Sequence, residues 1–351
     1  MSKLLSPAKI GGIDLSNRVI MPPMCMYEAH EQDGKPTPFH FAHYGMRAIS
    51  KMGLIIQEAT AIEPDGRITN QDLGLWNDEQ MEAMKKLVDS VHYLGSKMGI
   101  QISHAGRKAS DAQAPLSPSG IPYGEPYNPP VEMTLEQIQA TIDGFVASSI
   151  RAEKAGYDMI EIHAAHGYLI SQFLSPLANQ RNDQYGGSLE NRYRILREII
   201  DGIKAQVALP IWVRISADAY DETGQQNTIE DWQQMARWME EQGVVAIDVS
   251  TGGILSKKPN IPVHAGFQTP YATKIKEAVA IDVITVGLID DPGLAEFILQ
   301  TNQADAVMIG RAILRNTNWL NDAAVALHDH EFKPYNNSYV RGQKGYLILW
   351  Q

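Results

Sequence analysis

Eight short apolar runs recur along the chain, each followed by a stretch with helical spacing, and this alternation restricts the fold more than any other feature. The runs are Arg18 to Met24, Gly53 to Ala61, Gly99 to Ser103, Asp158 to His163, Pro210 to Ser216, Val244 to Ser250, Asp282 to Val286 and Ala304 to Ile309. Helical periodicity covers residues 134–155, 188–207, 228–242 and 291–300. Three of these helices open on capping residues: Thr134 with Gln137, Ser188, and Thr228 with Asp231. Strands that alternate with helices run parallel, because each helix carries the chain back across the sheet. Eight such units predict an α/β fold, a single (β/α)8 TIM barrel. Its usual ~250 residues leave room for a short N-terminal hairpin at Ile10-Gly11-Gly12-Ile13-Asp14-Leu15 and for extended βα loops. A doubly wound sheet would carry a glycine fingerprint after its first strand; Cys25-Met26-Tyr27 stands there instead, and neither G-x-G-x-x-G nor a Walker A motif occurs. No linker or short repeat divides the chain, so one domain over residues 1–351 is expected, with 331–351 as a C-terminal tail.

Alternate residues of a barrel strand face the lumen and the helices. Ile100, Ile102, Ile160, Ile162, Ile211, Val213 and Ile215 suit the helix-facing side. The other parity carries Gln101, Ser103, Glu161, His163, Trp212 and Arg214, and Gln57 and Ala59 are expected to share that inner face. Polar groups aimed inward near strand tops are costly unless they meet a polar ligand or one another. Directly after the fourth run stands His163-Ala164-Ala165-His166-Gly167-Tyr168, two imidazoles and a phenol at a glycine turn. These groups can grip an oxygen and deliver a proton beside it. In the last two loops Gly287, Gly310 and Arg311 offer close backbone approach and a fixed positive charge, where barrels often bind phosphate. Two long loops, Lys108 to Met133 and Leu169 to Gly187, are placed to cover the same end.

The net charge of −11, with no basic run, argues against a nucleic-acid partner. No apolar run reaches the ~18 residues of a membrane span. The N-terminus lacks a signal-peptide core, and Cys25 is the single cysteine, which excludes an intrachain disulfide. A cytoplasmic protein is the expectation.

An ordered series of phrases resembles the old yellow enzyme family of FMN-dependent ene reductases, in particular its bacterial NADPH dehydrogenase branch. The phrases are Asn17-Arg18, Pro23-Met24-Cys25-Met26-Tyr27, Thr37-Pro38-Phe39-His40 with His43-Tyr44, and Gln101-Ile102-Ser103-His104-Ala105-Gly106-Arg107-Lys108. The series continues with Ile160 to Leu169, Asp183 to Ser188, Glu190-Asn191-Arg192, Val213-Arg214 and Ile309-Gly310-Arg311. The resemblance implies an FMN-binding barrel and NADPH as reductant. Pro22, Pro23, Met24, Cys25 and Ala59 would border the flavin, Gln101 and Arg214 would meet its pyrimidine edge, and Gly287, Gly310 and Arg311 its phosphate. It also implies a ping-pong reaction in which hydride passes from NADPH to flavin N5 and on to the β-carbon of an enone or enal. His163 and His166 would hold the carbonyl, Tyr168 would protonate the α-carbon, and Tyr27 would orient the substrate. Pro22 stands where relatives often have serine, and Cys25 is the branch's substitute for threonine. His40, His43 and His104 are read as structural or capping groups.

In this branch a tail arginine reaches a neighbouring subunit's site, so Arg341 is expected at the substrate of a partner in a homodimer or homotetramer. Gln343 replaces the aromatic expected after Gly342, and residues 344–351 extend the chain with Tyr346 and Trp350. Two other readings stay open on the residues themselves. One is a metal-dependent barrel hydrolase built on the His163/His166 pair with Asp218 or Asp248; the other is a non-catalytic flavin-binding sensor.

Overall fold

The computed structural model describes residues 2–257, 259–333 and 336–342. Eight parallel strands form a closed barrel: β1 (Val19–Met21), β2 (Leu54–Ala61), β3 (Lys97–Ser103), β4 (Met159–Ala164), β5 (Ile211–Ser216), β6 (Ala246–Ser250), β7 (Asp282–Thr285) and β8 (Ala306–Met308). Each pairs with its sequence neighbours, and β8 closes on β1. The interleaved helices are α1 (Pro38–Ile49), α2 (Asp78–Tyr93), α3 (Leu135–Ala155), the short α4 (Leu169–Leu174), α5 (Leu189–Gln206), α6 (Ile229–Glu241), α7 (Thr269–Lys276) and α8 (Pro292–Gln300). After β8 come α9 (Arg311–Arg315) and α10 (Trp319–Ala326). The expected caps are present: Thr134 and Gln137 bond reciprocally at the start of α3, Ser188 accepts from the Asn191 N–H, and Thr228 with Asp231 closes the box at α6. Among the described residues no helix is long and apolar enough to cross a membrane.

The lumen is filled from below. The N-terminal hairpin (Ala8–Ile10 with Ile13–Leu15) turns through Gly11 and Gly12 at φ +51° and +83°, the left-handed pair that a two-residue hairpin turn requires. Its Ile10, Ile13 and Leu15 join Ile20, Leu54, Ile56, Met159, Trp212, Ile284 and Met308 in an apolar floor. The Trp212 Nε1–H donates to the Gly11 carbonyl at 3.0 Å. A Cβ on Gly11 would lie 2.3 Å from that indole, so only glycine fits. The opposite parity of β3, β4 and β5 (Ile100, Ile102, Ile160, Ile162, Ile211, Val213, Ile215) packs in the barrel–helix layer as expected.

One inner-face expectation is corrected. Gln57 does not face the lumen: its amide donates to Met84 Sδ of α2 and its carbonyl accepts from the Tyr157 hydroxyl in the helix layer. The register of β2 against β3 shifts between Gln57 and Thr60. That bulge breaks the two-residue period, so Ile56 and Ala59, three apart, both face inward.

Candidate active site

The strand tops converge on one mouth. Gln101, Glu161, His163, Arg214, Asp248 and Ser250 lie on neighbouring strands, with Arg214 in register with His163 on one side and Asp248 on the other. Gln101 Nε2 donates to Glu161 Oε1 at 2.7 Å. Arg214 Nε stands 2.8 Å from Asp248 Oδ2, but the approach is off the hydrogen-bond axis. Arg214 Nε, both Asp248 oxygens, Glu161 Oε2 and Ser103 Oγ are therefore buried without a hydrogen bond. Burial raises the pKa of both Glu161 and Asp248. Asp248's charge pushes Glu161 further up, while Arg214 opposes the rise in both. These two carboxylates hold more protons than their sequence positions suggest.

The two histidines and the tyrosine meet above this layer. The His163 ring makes edge contacts with His166 at 5.3 Å and with Tyr168 at 4.9 Å between centroids. His166 adopts φ +57°, the left-handed region, and Gly167 follows at +71°. The reversal is locked from the β6 exit: a Cβ on Gly253 would sit 2.5 Å from the His166 backbone, and one on Gly167 would sit 2.1 Å from the Gly253 carbonyl oxygen. Ser216 Oγ accepts the His166 N–H at 2.9 Å, and Ser250 Oγ pairs with His166 Nε2 at 2.8 Å. His163 Nδ1 accepts the Ala165 N–H at 3.4 Å, which leaves the proton on Nε2. For His166 to present an Nδ1–H, Ser250 must donate to its Nε2 at 2.8 Å rather than to the Gln268 carbonyl oxygen at 3.2 Å.

Burial is the first cause of every pKa shift here. It drives both histidines well below the ordinary imidazole range, aided by the Arg214 and Lys108 charges and, for His163, by His166. Tyr168 is pushed well above the phenol range by burial and then by Cys25, Tyr27 and Asp72. Cys25 is likewise raised by burial, Asp72 and Glu58. At neutral pH the cluster presents two neutral imidazoles, a neutral phenol and a thiol.

Ala59, Ala105, Ala109 and Ala112 form a small apolar wall with Cys25 and Tyr168. Tyr27, at φ +57° and 39% exposed, stands at the rim. Pro22 is buried, Pro23 and Met24 are half-buried, and a Cβ on Gly310 would meet Met24 Sδ and Pro22 Cγ at 3.4 Å. The β1 and β8 exits are thus in contact. Gly287 (φ +127°) leaves no room for a Cβ beside Gln268, and Arg311 is exposed at the start of α9. The outlying candidate is Arg341, exposed on the turn Asn337–Gly342. Gln343 and the extension 344–351, with Tyr346 and Trp350, lie outside the described residues.

The structural histidines behave as such: His40 accepts the Thr37 N–H, and His104 bridges Glu63 and the Gly106 N–H. Sequence reasoning missed Ser216 and Ser250 as the partners of His166, Glu58 as the acceptor for the Met26 N–H, and Lys108. The two serines follow Arg214 and Asp248 by two residues, so strand parity carried to the last turn would have found them. Asp218, offered for a metal, instead accepts from the Tyr271 hydroxyl. Among the described residues no group of three or more His, Cys, Asp or Glu is placed to hold a metal ion.

A closed barrel whose mouth carries buried, unpaired polar atoms beside an alanine wall has the layout of a barrel protein that takes a polar ligand at the carboxyl ends of its strands. The sequence profile of the NADH:flavin oxidoreductase / NADH oxidase family matches residues 3–330, and the chain belongs to that family. It is 49% identical over 326 residues to an NADPH dehydrogenase of Bacillus subtilis (strain 168), covering 93% of this chain and 95% of that one. Morphinone reductase in complex with tetrahydroNAD superposes with a TM-score of 0.77 at 28% identity, over 93% of this chain and 91% of that one. A 2-naphthoyl-CoA reductase shares the fold at a TM-score of 0.86 and 24% identity; this chain spans about half, 52%, of its length. The protein is an oxidoreductase, and its resemblance to old yellow enzymes and their NADPH dehydrogenase branch is borne out.

Proposed function

We propose that this oxidoreductase is an FMN-dependent NADPH dehydrogenase that reduces the activated C=C bond of α,β-unsaturated aldehydes and ketones. The observation that carries the reading is the cluster of neutral donors: His163, His166 and Tyr168 in mutual contact at one barrel mouth. The mouth also suits a flat ring with a polar edge. Buried polar atoms of Arg214, Asp248, Glu161 and Ser103 wait beside the alanine wall, and Gln101, its amide committed to Glu161, keeps a carbonyl free to accept. When bound, FMN supplies the two-electron relay that takes hydride from NADPH and returns it to the acceptor.

The chain's own groups do the rest. Gln101 and Arg214 would hold the pyrimidine edge, and the Arg214 cation would favour negative charge there. Pro22, Pro23, Met24, Cys25 and Ala59 would border the ring, and Gly287, Gly310 and Arg311 would take the phosphate. His163 Nε2–H and His166 Nδ1–H hold the substrate carbonyl oxygen. Being neutral, they stabilise the developing enolate charge without surrendering their protons. Tyr168, whose proton is firmly held, gives it to the α-carbon only when that carbon becomes strongly basic. Tyr27 orients the substrate from the rim. Arg341, exposed on its turn, is the group a second copy of the chain would bring to this mouth.

The test separates the half-reactions anaerobically. Tyr168→Phe should leave reduction by NADPH within about twofold of wild type and slow formation of saturated ketone from cyclohexenone by about 10²-fold or more. Equal losses in both halves would defeat the assignment.

A further inference from the structure

Lys108 stands at this mouth without a part in the proposed chemistry. It ends the 3₁₀ turn Gly106–Lys108 after β3, and its ammonium is turned inward. Nζ donates to the His166 carbonyl at 2.9 Å and contacts the Gly253 carbonyl at 3.4 Å. It lies 4.8 Å from the centroid of the Tyr168 ring and 4.9 Å from that of Tyr123. The ammonium is therefore held by two aromatic rings and two carbonyl dipoles, and its salt-bridge partners among the described residues number none. Lysine stems usually let the charge reach water; this one spends its charge against the side chain read as the proton donor. The Tyr123 hydroxyl also reaches the Gly253 carbonyl, at 3.3 Å, so the long loop that carries Tyr123 seals the arrangement from above.

The electrostatics around Tyr168 make that placement informative. Burial, Cys25, Tyr27, Asp72 and Tyr127 all oppose its ionisation. Among the described residues, Lys108 is the cation stacked on its ring. We propose that Lys108 is a positioning residue for proton delivery: it fixes the His166 and Gly253 backbones and offsets the negative charge left on Tyr168 when the proton departs. In that step the enolate's electron pair forms the new C–H bond at the α-carbon, the Tyr168 O–H bond breaks, and the tyrosinate later regains a proton from water. Lys108 keeps its own proton throughout. The inference rests on the role of Tyr168 proposed above.

The groups facing Lys108 are Arg107 on its own turn, His163, His166 and Tyr168 beyond β4, Tyr123 on the covering loop, and the Gly253 carbonyl beyond β6. Burial first, and then Arg107, lower its pKa to about 8. The charge is present below that pH and lost as pH rises through it. Product formation by the reduced holoenzyme with cyclohexenone, followed by rapid quench from pH 6.5 to 9.5, should therefore fall roughly tenfold to hundredfold across an alkaline limb near pH 8, the range expected for losing a unit charge this close. Reduction by NADPH should lack that limb. Lys108→Arg, charged throughout, should abolish the limb and keep most of the rate; Lys108→Met should be slow and flat. FMN dissociation constants of the variants, read by fluorescence, should stay within about threefold of wild type, since the residue acts on Tyr168 rather than on the cofactor. A wild-type profile without the limb, a limb that persists in Lys108→Arg, or a Lys108→Met rate near wild type would each overturn the inference. If Tyr168→Phe forms product at the wild-type rate, the donor assignment itself fails, a result separable from any behaviour of Lys108.

Discussion

Glu161 offers the sharpest energetic test of the barrel mouth. It is fully buried, its Oε1 accepts from Gln101 at 2.7 Å, and its Oε2 has no partner. Burial and then Asp248 raise its pKa, against the opposing Arg214 charge and Gln101 bond. An unfolded glutamate titrates near ~4.3. Between that value and the raised folded value, the folded protein keeps a proton that the unfolded chain has released. Wyman linkage then makes stability fall as pH rises across that window, by up to about 1.4 kcal/mol per pH unit, until the folded carboxyl itself ionises. Glu161→Gln removes this dependence while leaving a carbonyl oxygen to accept from Gln101. Near pH 4.5 variant and wild type should be similarly stable, and by pH 7 the variant should lead by about 2–4 kcal/mol, the size expected for relieving a buried, poorly paired carboxyl. For 351 residues, an unfolding entropy of about 2.1 cal/mol/K per residue converts this lead into about 3–5 °C in Tm. Thermal unfolding at saturating FMN, from pH 4.5 to 8, measures it. A stability difference that stays flat with pH, or one that narrows as pH rises, would refute the reasoning.

Gly253→Ala should cost about 2–4 kcal/mol in chemical denaturation, because φ is +94° and the new Cβ would lie 2.5 Å from the His166 backbone. Its KM for cyclohexenone should rise while the rate of reduction by NADPH changes little; an unchanged KM would show that the glycine contact does not set the His166 position. Trp212→Phe removes the 3.0 Å bond to the Gly11 carbonyl at the barrel floor and should cost about 1–3 kcal/mol, with both half-reactions kept. A shift in flavin potential in that variant would contradict the separation of floor from mouth.

The barrel was legible in the sequence because its strands are buried on both faces, so their Ile and Val runs stand out against helices that announce themselves with Thr134, Ser188 and Thr228 caps. Parity then placed Gln101, Glu161, His163 and Arg214 at the mouth without any contact information. The same rule failed at Gln57, where a bulge that no local residue type signals added one residue to the period. It stopped short of Ser216 and Ser250 only because it was not carried to the last turn of β5 and β6. Lys108 belongs to a different class. Its partners come from three loops that lie 15, 58 and 145 residues away along the chain, and no spacing encodes their meeting. The protonation states are of that class too. Histidine is the side chain whose unperturbed charge change falls nearest neutrality, and from composition alone His163 and His166 would be taken for proton donors in competition with Tyr168. Burial beneath Gly253 and beside Arg214 and Lys108 removes their charge. It thereby makes two residues that could have delivered a proton into hydrogen-bond donors that hold one. The division of labour between the imidazoles and the phenol is thus a consequence of how the loops close over the mouth, and it should weaken wherever a substitution lets water back in.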